Sequence, residues 1–309
     1  MTAVAARGRG LATNVASDEA LAELDHVRDA AGLAAGLARA GIAVPPGATA
    51  DVVERLARAR VASDLAILGR WSDALEAVML DEDRRSLRAI VRGLAAGASV
   101  ERRLAGTVPT AALPAPALAE LAAATQVADV AELLVRRGHP LAPALASPRD
   151  AVDLLELELA LAHRFVALAR SPDPALRAYL AQLIDAENTA AALILASRGH
   201  ELAGERAWLA GGERLDHAAF VAAAAGPIDA ARDLLARALA GTPLAGALFA
   251  VEPAALDDAT LAWQLATQAR LRRTSPLGLA PALYAVLRRR DEARRVRRAA
   301  WRLALGGPP

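Results

Sequence analysis

The strongest constraint on this chain is that it repeats. Asp81–Gly106 reads DEDRRSLRAIVRGLAAGASVERRLAG, and Asp185–Ala210 reads DAENTAAALILASRGHELAGERAWLA. At one common offset of about a hundred residues, Asp81 meets Asp185, Asp83 meets Glu187, and Glu101-Arg102 meets Glu205-Arg206. Near the C-terminus, Tyr284 and Glu292 repeat the spacing of Tyr179 and Glu187. His139-Pro-Leu-Ala-Pro-Ala-Leu145 returns as Thr242-Pro-Leu-Ala-Gly-Ala-Leu248 in nearly the same register. Alanine matches arise by chance in such a chain, so the charged, Pro and Gly matches carry the weight. Three helical units, 1–106, 107–210 and 211–309, account for all 309 residues.

Composition says what the units are made of. Hydrophobic residues make up 55% of the chain but aromatics only 3%. The apolar mass is Ala, Leu and Val, and Ala and Leu are the best helix formers, while strand-forming β-branched and aromatic residues are sparse. The expected fold class is all-α. Helices are expected from Ser17-Asp18-Glu19 to Gly41, and over 50–68, 71–93 and 99–104 in the first unit. The second unit carries 117–137, 148–170 and 174–198, with Pro148 and Pro174 in first turns where a missing N–H costs nothing. The third carries 216–225, 227–240, 255–272 and 276–305.

Much chemistry is excluded. There is no Cys, hence no thiol nucleophile, thiolate metal site or disulfide. All 36 basic residues are Arg, so no phosphate-loop lysine or Schiff base is possible. No nucleophile-elbow, dinucleotide or Walker A motif is present. The five histidines, His26, His139, His163, His200 and His217, include no pair at helical metal-ligand spacing. His139 and His200 follow glycines at breaks, where a solvated imidazole is expected. No cofactor or metal is expected. A net charge of +1 gives no basic field for nucleic acid. The longest uncharged runs fall short of the roughly 20 residues of a membrane span, and no signal peptide is evident at the N-terminus.

Two charged features remain. Leu80-Asp-Glu-Asp-Arg84 and Leu256-Asp-Asp-Ala259 resemble magnesium-binding acidic clusters of helical diphosphate enzymes, although the aromatics that would line such a cavity are few. The last helix crowds Arg288, Arg289, Arg290, Arg294, Arg295, Arg297, Arg298 and Arg302 into about four turns, as a solvated face or as a docking surface for an acidic partner or anionic headgroups.

Three segments carry a family resemblance: Tyr179-x5-Asp185-x-x-Asn188 followed by Gly211-Gly212, Leu239-Ala-Gly-Thr242-Pro-Leu with a later Leu248, and Pro276-Leu-Gly-Leu-Ala-Pro-Ala-Leu-Tyr284-x7-Glu292-x4-Arg297. Arg7-Gly-Arg9-Gly-Leu-Ala-Thr13 fits the same family's opening. In order and spacing the chain resembles the C subunit of the archaeal and bacterial A/V-type rotary ATPases, which is the d subunit of the eukaryotic vacuolar enzymes. The departures are the loss of most aromatics, the absence of Lys and the Arg-heavy last helix.

The resemblance implies three pseudo-threefold-related helical units forming a funnel. It implies a non-catalytic rotor subunit on the cytoplasmic face of the membrane. Such a subunit would couple the central stalk, made of the D and F subunits, to the proteolipid ring that transports protons or sodium. Asp83, Glu187 and Glu292, with Glu101, Arg102, Glu205 and Arg206, are the residues expected to line the stalk contact. Arg288, Arg294, Arg295 and Arg298 are expected to meet a partner from the last helix. A generic helical-repeat scaffold and a magnesium-dependent diphosphate enzyme are the alternatives.

Overall fold

A computed structural model describes residues 2–146, 153–199, 204–250 and 254–306, and among them every regular element is a helix. The chain forms two compact bodies. One runs from the N-terminus to 148 and is completed by 276–309; the other spans 149–275.

The first body contains α1 (Thr2–Ala12), α2 (Asp18–Asp25), α3 (Ala30–Arg39), α4 (Ala50–Gly69), α5 (Glu76–Ala95), α6 (Val100–Ala105), α7 (Ala115–Ala123) and α8 (Val127–Arg136). The central body contains α9 (Leu154–Leu168), α10 (Pro174–Arg198), α11 (Gly204–Ala207), α12 (His217–Ala225), α13 (Ile228–Ala238), α14 (Pro243–Ala247) and α15 (Ala255–Thr274). The last helix, α16 (Ala280–Ala304), belongs to the first body.

Two of the expected helices are each two. The stretch from Ser17 to Gly41 breaks after Asp25, because Asp29 caps a new helix by accepting the Gly32 N–H. The stretch 117–137 breaks at Ala124, because Gln126 and Asp129 form a capping box for α8. The expected starts at 148 and 276 move inward to Leu154 and Ala280; Pro148 itself lies outside the described residues. Helices α1 and α14 were not expected. Helix α10 has the expected bounds: Asp173 accepts the Ala175 and Leu176 N–H groups, Pro174 opens the first turn, and Gly199 closes it at φ 67°.

In the first body, α16 runs antiparallel to α4, with Arg289 opposite Asp64 and Trp301 opposite Glu54. Leu21, Leu24, Leu37, Val53 and Val296 form a buried cluster that ties both ends of the sequence together. Helix α1 lies on the first turn of α16 through Gly8, where a Cβ would sit 2.5 Å from the Ala282 Cα. Gly8→Ala is therefore expected to cost about 1–3 kcal/mol by overpacking against backbone, despite alanine's better helix propensity. Chemical denaturation measures it, and a stabilised variant would show the contact to be loose.

In the central body, α10 is the spine. Leu195, Leu215, Phe220, Leu235 and Leu244 pack into one buried cluster, and Trp208 meets Phe220 at 5.3 Å between ring centroids. Polar bonds join α10 to α15: Gln182 donates to the Thr267 hydroxyl at 2.7 Å, and Gln268 donates to the Ala175 carbonyl at 2.9 Å. Among the described residues, no helix is long and apolar enough to cross a membrane.

Candidate functional site: acid clamps and the arginine helix

Each of three long helices uses an acid to hold a segment that leads into a short helix. On α5, Asp83 accepts the Thr110 hydroxyl through Oδ1 and faces His139 Nε2 at 3.3 Å through Oδ2. One turn on, Ser86 Oγ accepts the Val108 N–H at 3.1 Å. Both contacts fasten the connection just before α7. On α10, Asp185 accepts the N–H groups of Glu213, Arg214 and Leu215 at 3.0, 3.0 and 3.1 Å. One turn on, Asn188 accepts the Leu209 N–H at 2.9 Å and donates to the Leu209 carbonyl at 2.8 Å. These fasten the connection just before α12. On α16, Glu292 accepts the Ala16 N–H at 2.9 Å, just before the Ser17 cap of α2.

The clamps correct the register of the repeat. Matching letters pairs Asp81 with Asp185, but hydrogen-bonding role pairs Asp83 with Asp185 and Ser86 with Asn188. Asp81 has a different duty. It is fully enclosed and binds Arg84 Nη2 and Arg85 Nε, each at 2.9 Å. Glu82 binds Arg290 at 2.6 Å. The Leu80–Arg84 acids thus serve guanidiniums and the Asp83 clamp, and among the described residues no acid–histidine cluster is arranged to hold a metal.

His139 is not the solvated imidazole expected beside a break. It is 4% exposed, and its Nδ1 accepts the Leu141 N–H at 3.2 Å, which leaves Nε2–H to point at Asp83. Burial raises the Asp83 carboxyl above its ordinary value of 3.8, with His139 and Thr110 opposing. The folded state therefore holds that proton more tightly than the unfolded chain. The associated stabilisation is complete below about 3.8 and is lost as pH rises through the folded value. The stability of the native chain relative to Asp83→Asn should decline across that window in urea titrations. A difference flat with pH would contradict this.

Helix α16 divides its arginines by direction. Arg289 and Arg290 are buried, with Arg289 bonded to Asp64 at 2.8 Å and to Glu292 at 2.7 Å. Burial works against the Arg289 charge, but its bonds to Asp64 and Glu292 outweigh this and raise its pKa. Burial still leaves Asp64 above the ordinary carboxylate value despite Arg289. The pair is thus organised at a desolvation cost. Arg288 pairs with Asp18 and donates to the Ala16 carbonyl. Arg302 donates to the carbonyls of Leu24, Asp25 and Val27, which closes the end of α2.

Asp83 and Glu292 are therefore enclosed, at 2% and 0% exposure. Glu187 is half-buried; Glu101, Arg102 and Arg206 are exposed; Arg294 and Arg295 are half-buried, and Arg298 is exposed. Glu205 lies on α11, and its side chain and all of His200 lie outside the described residues. The clamp partners Thr110 and Ser86 had no sequence signal, since each binds backbone or an acid more than twenty residues away. The carboxylate of Glu54, which holds Trp301 and Arg58, was equally unmarked.

The described helices and their clamps define a helical structural protein. The ATP synthase (C/AC39) subunit family matches residues 38–308. The V-type ATP synthase C subunit of Thermus thermophilus, in each of two strains, is 33% identical over 261 residues, covering 81% of this chain and 77% of each relative. The chain belongs to the ATP synthase (C/AC39) subunit family. It is accordingly a non-catalytic subunit of a membrane-associated complex rather than an enzyme in its own right.

Proposed function

We propose that the chain is the rotor socket that couples the central stalk, made of the D and F subunits, to the proteolipid ring on the cytoplasmic side of the membrane. Family membership supports the reading, and the observation that carries it is the recurrence of the clamp. The last long helix, α16, holds the entry to α2 as α5 and α10 hold the entries to α7 and α12. A set of three units, 1–106, 107–210 and 211–309, closed around a pseudo-threefold axis needs that link from end to beginning. A funnel built this way accepts a shaft along its axis, and polar groups at its mouth grip it.

In this reading Glu101, Arg102, Glu187, Glu205 and Arg206 meet the stalk, while Asp83 and Glu292 set the connections from which that surface is built. Arg288, Arg294, Arg295 and Arg298 belong to the partner-facing side of the last helix. The deciding experiment is size-exclusion co-elution of the purified chain with the D–F pair and, separately, with the detergent-solubilised proteolipid ring. One-to-one complexes with both are expected. A folded chain that binds neither is a helical scaffold for some other partner.

A further inference from the structure

Helix α15 carries a polar stripe into the interior where it meets α10. Thr260, Gln264, Thr267 and Gln268 lie on one side of the helix at helical spacing. All four are buried, and so is Gln182 on α10. Thr260 is satisfied within its own helix, where its hydroxyl donates to the Leu256 carbonyl at 2.7 Å. Two bonds cross the seam: Gln182 Nε2 donates to Thr267 Oγ1, and Gln268 Nε2 donates to the Ala175 carbonyl. Each glutamine still has one enclosed atom without a partner among the described residues: Gln182 Oε1, Gln264 Nε2 and Gln268 Oε1. The three side chains belong to residues that are 2%, 1% and 0% exposed.

We propose that the α10–α15 seam is a binding site for ordered water, which bonds these amides and completes the join between the two helices. A buried amide atom left unpaired bears its full desolvation penalty, and turning an amide over does not remove it. With Gln268 reversed, its oxygen would face the Ala175 carbonyl. With Gln182 reversed, its oxygen could accept from Thr267, but its nitrogen would take the unpaired place. The unpaired set is two acceptors and one donor. Water answers both kinds, since it gives hydrogen bonds and takes them, and it needs only about 10–15 Å³ of free space. A cation would suit the two oxygens but would meet the N–H₂ of Gln264; an anion would suit that N–H₂ but would meet the two oxygens. The site lies inside the central body and is independent of the socket reading.

Two measurements on the full chain test it. In a high-resolution crystal structure, ordered water is expected within about 2.7–3.2 Å of at least two of the three amides. The second is urea unfolding of Gln264→Met, which keeps the length of the side chain and removes its amide. In a wet seam this change takes a partner from the water and strands the glutamine oxygens, so the folding equilibrium constant should fall about tenfold, which is about 1.4 kcal/mol. In a dry seam it removes an unpaired buried donor, and the constant should rise. Two results would overturn the proposal: amides bonded directly to protein groups with no density between them, or a Gln264→Met chain at least as stable as the native one. Should Gln264→Met fail to fold, the native crystal structure decides alone.

Discussion

Asp185→Ala is expected to destabilise the chain by about 3–4 kcal/mol. Asp185 is 0% exposed and accepts the consecutive N–H groups of Glu213, Arg214 and Leu215. A buried N–H left without an acceptor costs about 1–3 kcal/mol. Leu215 N–H is buried and bears that cost in full, while the N–H groups of the exposed Glu213 and Arg214 recover part of it from water. Gly212 shows how tightly the carboxylate is enclosed: a Cβ there would lie 2.2 Å from Asp185 Oδ1. Asp185→Asn should lose less, because one oxygen remains to accept while the new amide N–H₂ opposes a donor. Urea unfolding gives the stability, and hydrogen exchange at Leu209–Leu215 locates the loss. A variant that unfolds like the native chain would mean the clamp contributes nothing net.

The clamp also shows what could be read from the sequence. Asp185 stood out because it sits in a recurrent pattern and Asn188 because it sits in a segment that carries the family resemblance, and the fold class followed from an Ala- and Leu-rich chain with few aromatics. The bounds of α10 were legible because Asp173, Pro174 and Gly199 are local signals that act within one turn. The breaks after Asp25 and Ala123 were not, because apolar spacing continues across them and only the Asp29 cap and the Gln126–Asp129 capping box mark the restart. Pairing Asp81 with Asp185 followed identity of letters, whereas the fold matches residues by what they hold. Burial of His139 depends on Asp83, 56 residues earlier. Likewise, nothing in the run Arg288–Arg290 says which guanidiniums turn inward. That is decided by Asp64 on α4 and Glu82 on α5, which receive Arg289 and Arg290. Local chemistry was readable, but side-chain direction set by distant partners was not.

Arg289→Ala is expected to cost about 3–5 kcal/mol at neutral pH, the penalty for breaking a buried ion pair from one side. The guanidinium serves three acceptors: Asp64 at 2.8 Å, Glu292 at 2.7 Å and the Asn14 carbonyl at 3.2 Å. Glu292 keeps Arg60 Nε at 3.0 Å and the Ala16 N–H, so the charge left stranded is that of Asp64. Burial already raises the Asp64 carboxyl above its ordinary value of 3.8, and removing Arg289 raises it further. Its folded pKa then lies well above the unfolded one. The variant's deficit should therefore shrink as pH falls through that raised value, because a neutral Asp64 no longer needs a cation. Adding Asp64→Asn to the variant should recover part of the loss at pH 7, as a double-mutant cycle would show. Arg289→Lys keeps the charge without the fork and should fall between. If Arg289→Ala lost the same stability at pH 5 and pH 7, and Asp64→Asn gave no recovery, the cost would be lost packing between α4 and α16, and the ion pair would not be what fixes the last helix to the first body.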